Sequence, residues 1–282
     1  MANLNNFKPT DFSSMARPLD PLMYMTNRLI MAFTLAGGVV AGGWTLATQG
    51  DLLAAVSAGF FTGASLFIAW VLSRDVDPDH DASAFVSSAF AFLFCLGRAD
   101  LLPLAAVVFA LRMVSRVVGP APKITDSALA LLVTALAVFS GYWTVGIVMG
   151  LAFILDGVLS RPLRRQFAFA GLAFVGTLAW LLVVGARDGG TLSYLTLFIL
   201  VVATGLGAFA LWNLRSVKVL ADVPTYTLDP LRLRACLVLV FAFGVGGVLQ
   251  YGDAGALGLS ATWATLAGVG AYRLFLWARA RR

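Results

Sequence analysis

Charged residues are scarce in this chain. Only 12% of its 282 residues are charged, whereas 60% are hydrophobic, and the mean hydropathy is +0.89. Soluble globular domains carry about 25% charged residues. The shortage excludes a soluble globular domain and predicts a protein whose main solvent is lipid.

Cysteine, histidine and glutamate are also nearly missing. The two cysteines, Cys95 and Cys236, fall in apolar segments and form no spacing motif, so no disulfide framework is implied. His80 is the only histidine, and all fourteen acids are aspartates. The first 27 residues contain no apolar run, so we expect no cleavable signal peptide.

Long apolar runs are abundant. A helix that crosses the hydrocarbon core needs roughly 17 to 25 mostly apolar residues, because its backbone must be satisfied internally. The sequence predicts an all-α, polytopic membrane protein with ten such helices: Arg28–Gln49, Leu52–Leu72, Asp77–Gly97, Leu101–Val118, Thr125–Ser140, Trp143–Leu159, Arg164–Gly185, Leu192–Leu214, Arg232–Gln250 and Gly255–Trp277.

Short glycine-containing turns predict that the ten helices form five hairpins. The predicted organisation is a polar tail over 1–27, a single transmembrane domain over 28–278 and a basic end over 279–282. One long helix from Asp126 to Leu159 is the alternative for the middle of the chain. It would bury Gly141, Tyr142 and Trp143 in mid-helix and invert everything that follows.

The basic residues predict the orientation. With ten helices and the N-terminus in the cytoplasm, eighteen of the twenty Lys and Arg residues lie on the cytoplasmic side, and only Arg98 and Arg187 lie opposite. Basic residues in short loops stay in the cytoplasm. We therefore expect a multi-pass protein of the cell (inner) membrane with both termini cytoplasmic.

An acidic cluster follows the second predicted helix. It consists of Asp75, Asp77, Asp79 and Asp81, with His80 among them. One interpretation is a divalent-metal site, since Mg²⁺ is often held by one or two carboxylates and substrate phosphates. The alternative is helix capping around Pro78, because aspartate is favoured before and within a first helical turn. A third interpretation is that this loop docks a partner protein. Capping does not explain Asp75.

Basic side chains suggest two further contacts. Arg161, Arg164 and Arg165 are predicted to lie against the membrane, where they would contact anionic headgroups or a phosphate. No nucleic-acid partner is needed to explain them. Arg112 and Arg116 share a helix face, and we expect a buried pair between Asp156 and Arg112 near the cytoplasmic boundary. Separate extension of each side chain to the headgroups is the alternative.

The placement of acidic residues resembles that of UbiA-type prenyltransferases. Those enzymes carry Asp-rich motifs at the inner ends of their second and sixth helices, where Asp75 to Asp81 and Asp156 stand here. The resemblance implies an isoprenoid substrate at the cytoplasmic face. The spacing of the aspartates differs from that family's pattern, and one more helix is predicted here. Asp156-Gly157 is similar to the opening of the CDP-alcohol phosphotransferase motif, but the further acids of that motif are missing.

Three functional classes fit these observations. The first is a permease for a small, weakly polar metabolite, because the ten-helix layout is similar to that of drug/metabolite transporters. The second is a non-catalytic subunit that binds lipids, pigments, other membrane subunits or a second copy. The third is an enzyme acting on a lipid or isoprenoid phosphate at the cytoplasmic face. An ion-coupled carrier is disfavoured, since no acid, lysine or histidine lies near the middle of a predicted span.

Overall fold

The computed structural model describes residues 13–15, 19–95, 97–186, 189–222 and 227–282. The protein is 77% helical, and the described ranges contain no β-strand. An isolated bridge joins Leu220 to Thr227. The prediction of an all-helical chain is confirmed at this level.

Eleven helices occur within these ranges. Ten of them overlap the ten predicted segments, with different bounds, and the tenth predicted segment is divided between the short α10 and α11. Their bounds are α1 (Met25–Gln49), α2 (Leu52–Val76), α3 (Asp81–Cys95), α4 (Leu101–Ser115), α5 (Ile124–Phe139), α6 (Trp143–Val158), α7 (Gln166–Val184), α8 (Tyr194–Asn213), α9 (Pro230–Tyr251), α10 (Asp253–Gly258) and α11 (Ser260–Arg279).

Five of these helices are long and apolar enough to cross a membrane: α1, α2, α7, α8 and α9. The helices α3 to α6 are apolar but have only 15 or 16 residues. At 1.5 Å per residue they are about 24 Å long or less, which is shorter than a hydrocarbon core of about 30 Å. The structure therefore supports a membrane protein with five candidate spans.

The core is built around α11, which packs against α3 and α8. Every residue of α11 from Ser260 to Gly270 is buried. Small residues make this possible, because a Cβ at Gly268 would clash with the backbone of Ser87 in α3. The first helix lies at the periphery, because only Asn27, Ile30 and Gly37 of α1 are buried.

Local sequence explains where several helices begin. Asp51 caps α2 by accepting hydrogen bonds from the backbone N–H groups of Leu53 and Ala54. Asp229 caps α9 in the same way, and Pro230 occupies the first helical position. The second helix continues four residues beyond its predicted end at Leu72, so Asp77 follows it as a C-terminal cap and α3 begins only at Asp81.

Candidate functional site

The four aspartates of the acidic cluster bind different partners at the end of α2 and the start of α3. Asp75 accepts a hydrogen bond from Nε of Arg112 at 3.4 Å, and Asp79 accepts hydrogen bonds from the backbone N–H groups of Lys218 and Val219. Asp81 forms an ion pair with Arg74. These three carboxylates are thus tied to three different parts of the chain.

Asp77 is the most enclosed member of the cluster. It is fully buried and accepts hydrogen bonds on Oδ1 from Nη2 of Arg273 at 2.7 Å and from Nδ1 of His80 at 2.9 Å. Burial alone would raise the pKa of Asp77, but the hydrogen bond from His80 and the charge and hydrogen bond of Arg273 together hold it below its ordinary value. Asp77 therefore stays ionised and links α2 to α11.

The metal interpretation of Asp75, Asp77, Asp79, Asp81 and His80 gains no support from this geometry. Within the described ranges, no group of three or more His, Cys, Asp or Glu side chains is arranged to hold a metal ion. Mg²⁺ binding there stays a prediction. The capping interpretation fits only Asp81, which lies in the first turn of α3.

Asp156 lies in a second buried network, at the end of α6. Its Oδ1 accepts hydrogen bonds from Arg116, at 3.0 Å from Nε and 2.6 Å from Nη2, and from Nη1 of Arg232 at 2.9 Å. Its Oδ2 accepts one from Nε2 of Gln166 at 3.1 Å. Asp156, Arg116 and Arg232 are all buried. One carboxylate thus joins α6 to α7, to α9 and to the end of α4.

The expected partner of Asp156 was Arg112, and the structure corrects this. Arg112 binds Asp75 instead, and its Nη1 donates to the carbonyl oxygen of Met15 at 2.9 Å. The physical reason is that α4 ends at Ser115, so Arg116 follows it in a left-handed conformation with a φ of 53°. Arg116 therefore leaves the helix face that it was expected to share with Arg112.

Sequence reasoning missed Arg232 as a partner of Asp156. Its Nη1 also donates to the carbonyl oxygen of Val114 at 2.8 Å, and its Nε donates to that of Ser160 at 3.0 Å. The available signal was position: Arg232 follows the Asp229-Pro230 cap and so lies at the same end of the bundle as Asp156. A buried carboxylate requires a cation at that end.

The three arginines predicted to contact headgroups are all exposed: Arg161, Arg164 and Arg165. The main chain of Arg161 also contributes structurally, because its carbonyl oxygen accepts a hydrogen bond from Nη1 of Arg116 at 3.0 Å. Arg165 donates to the carbonyl oxygen of Pro122. Their exposure is compatible with the predicted headgroup contact.

Part of the predicted N-terminal tail packs against the same end of the bundle. Ser13 donates to Oδ1 of Asp126 at 2.6 Å, and Ser14 donates to Oδ2. Met15 is buried in the main hydrophobic core. Residues 1–12 and 16–18 of the tail lie outside the described ranges.

A cavity of about 660 Å³ opens at this end, between the start of α1 and the ends of α2 and α4. This volume is within the range of small-molecule sites, about 300 to 1,000 Å³. Its lining is divided by polarity. The polar part includes Asn27, Arg74, Asp81, Arg112 and Asp222, and the apolar part includes Phe67, Ile68, Trp70, Val71 and Val108.

The cavity is limited in depth. On α2 its lining extends from Arg74 to Phe67, which corresponds to about 10 Å along a helix. Closer to the middle of α2, Ser65 and Ser260 share a hydrogen bond of 3.0 Å, and Ser88 donates to the carbonyl oxygen of Leu66 at 3.0 Å. These helices are therefore in direct contact beyond the cavity.

Comparisons with protein-family models, with curated proteins and with solved structures find no match for this chain.

Proposed function

We propose that this protein crosses the inner membrane ten times, with both termini in the cytoplasm. The support is the direction of the helices at the ion pairs. Asp75–Arg112 joins the C-terminal ends of α2 and α4, and Asp156–Arg232 joins the C-terminal end of α6 to the start of α9. Arg273, near the end of α11, reaches Asp77. If the ten helices alternate in direction, the C-terminal ends of α2, α4, α6 and α11 and the start of α9 all lie on the same side of the membrane.

This arrangement would make the cavity-bearing end cytoplasmic. A tag at Tyr142 and another at Arg165 should then react from opposite compartments. Tyr142 directly precedes α6, whereas Arg165 lies in the loop after the other end of α6. Labelling of both tags from one compartment would contradict the ten-span topology.

We further propose that the cavity binds one amphiphilic molecule, a lipid or a lipid-like metabolite. The divided lining is the observation that carries this proposal. Arg74, Arg112 and Asp81 would contact a polar head, and Phe67 and Val108 would contact an apolar chain. Such a site, mostly apolar with a few convergent polar groups, is typical of small-molecule recognition.

The test is native mass spectrometry of the protein purified in mild detergent. The wild-type protein should retain one bound lipid-sized molecule. Val108→Trp should lose it, because the larger side chain would fill the apolar part of the cavity. Val201→Trp is the matched control, since Val201 is 61% exposed on α8. Equal retention by all three proteins would contradict the proposal.

A permease for a small, weakly polar metabolite is the second candidate. The observation that favours it is a cavity that opens at one end of the bundle. A permease must expose its site alternately to both sides of the membrane. In a variant lacking Cys95 and Cys236, Phe67→Cys should then react with a membrane-impermeant maleimide from either side. A site that only binds a ligand would react from the cytoplasmic side alone.

A further inference from the structure

We propose that the molecule in the cavity is a long-chain acyl lipid, and that its acyl chain leaves the cavity beside Phe67 and lies in an outward-facing groove between α1 and α2. This inference rests on the amphiphile site proposed above. The groove has a volume of about 650 Å³. Its lining comes from α1, between Thr34 and Leu46, and from α2, between Leu52 and Phe67.

The bundle interior is closed beyond the cavity. Ser65 and Leu66 of α2 are buried, and Ser65 shares a hydrogen bond with Ser260 of α11. Leu66 also packs tightly against α1, because a Cβ at Gly37 would clash with its side chain. The cavity itself extends only about 10 Å along α2. A longer chain therefore has to turn outward, toward the membrane.

The cavity and the groove lie along one face of α2. Phe67 lines both of them. Toward the end of α2 the cavity continues to Val71 and Arg74, and toward its start the groove continues to Phe60 and Val56. Successive members of this series are three, four or seven positions apart, which is the spacing of one helix face. The two spaces are therefore successive parts of one path.

The groove suits an acyl chain in its polarity and its length. Leu35, Val39, Val56 and Phe60 line it and are 60 to 74% exposed. From Phe67 to Leu52 the groove extends about 23 Å along α2. Half of the hydrocarbon core is about 15 Å thick, so the acyl chain of a lipid in one leaflet fits within this length. A small metabolite would end inside the cavity and leave the groove unused.

The experiment locates the chain by photo-crosslinking. The protein is expressed in cells fed a palmitic acid analogue with a mid-chain diazirine, which enters the acyl chains of membrane lipids. It is irradiated after purification in mild detergent. Peptide mass spectrometry should place the crosslink on lining residues of the groove such as Leu35, Val39 or Phe60. Val108→Trp should lose the crosslink, because the lipid is no longer retained.

Val39→Trp and Val40→Trp form a matched pair of variants. Both valines are exposed on α1, but Val39 lines the groove and Val40 does not. Val39→Trp should weaken lipid retention in native mass spectrometry about tenfold, because the indole would occupy the space of the chain. Val40→Trp should retain the lipid as the wild type does.

The outcomes separate this inference from the proposed function. A crosslink elsewhere in the chain, or equal retention by Val39→Trp and Val40→Trp, would overturn the inference. The cavity proposal would still stand if Val108→Trp loses the lipid. A groove crosslink that persists in Val108→Trp would assign the groove to a separate membrane lipid and would also overturn the inference. A wild-type protein that retains no lipid would contradict the proposed function itself.

Discussion

Arg116 donates two hydrogen bonds to a single carboxylate oxygen of Asp156, although 40 positions separate the two residues in the chain. Both side chains are buried, at 4% and 0% exposure. Arginine stays protonated in proteins, so a buried guanidinium needs an anionic partner. Asp156 supplies that charge to Arg116 and to Arg232 at once.

Asp156→Asn should therefore destabilise the fold strongly. Breaking a buried ion pair by removing one partner costs about 3 to 5 kcal/mol, because the remaining charge is left uncompensated. The measurement is thermal unfolding in detergent. Asp81→Asn is the control, because it breaks the ion pair between Asp81 and Arg74. The side chain of Asp81 is 57% exposed, and exposed ion pairs contribute about 1 kcal/mol or less. Similar losses in both variants would show that Asp156 has no special role.

The positions of the helices could be predicted from the sequence, but the partners of the buried polar groups could not. Apolar runs identify helices because the bilayer requires long segments with internal hydrogen bonds. Asp156 appeared one turn from a helix end, yet its partner depended on the left-handed backbone of Arg116. Capping and metal binding were the local interpretations of Asp79, whereas it binds the backbone of Lys218 and Val219, about 140 positions away. Such contacts depend on tertiary packing, which a local pattern does not contain.

Two adjacent glycines of α1 should respond differently to substitution. A Cβ at Gly42 would lie 2.9 Å from the carbonyl oxygen of Ala55 in α2, whereas a Cβ at Gly43 would meet nothing within 4 Å. Gly42→Leu should therefore force α1 away from α2, at a cost of about 1 to 3 kcal/mol. Hydrogen exchange of the α1 amides should rise in Gly42→Leu and not in Gly43→Leu. Equal exchange in both variants would contradict the close helix contact.

The ion pair of Asp77 should make stability depend on pH in the acid range. The pKa of Asp77 is lowered in the fold: burial opposes this, but His80 and Arg273 outweigh it. A lowered carboxyl pKa stabilises the fold above the ordinary aspartate pKa of about 4, and that contribution is lost as pH falls through the folded-state value. The midpoint temperature of thermal unfolding should decrease as the pH is lowered from about 5 to about 2.

Asp77→Asn provides the comparison for this pH dependence. It should be less stable than the wild type at neutral pH, because Arg273 loses its buried partner. The unfolding midpoint of Asp77→Asn should change less on acidification than that of the wild type. The midpoints of the two proteins should therefore converge at low pH. Parallel curves that keep a constant separation would rule out titration of Asp77 as the cause.

Tyr142 should remain protonated in alkaline solution as long as the protein is folded. Burial raises the pKa of Tyr142, and its hydrogen bond to the carboxylate of Asp100 raises it further. An ultraviolet titration of tyrosinate absorbance should show the same reversible amplitude in Tyr142→Phe as in the wild type, although the variant has one tyrosine fewer. The raised pKa also implies that stability decreases as pH rises above about 10, since the unfolded chain releases this proton first. A smaller titrating amplitude in Tyr142→Phe would mean that Tyr142 ionises in the folded protein.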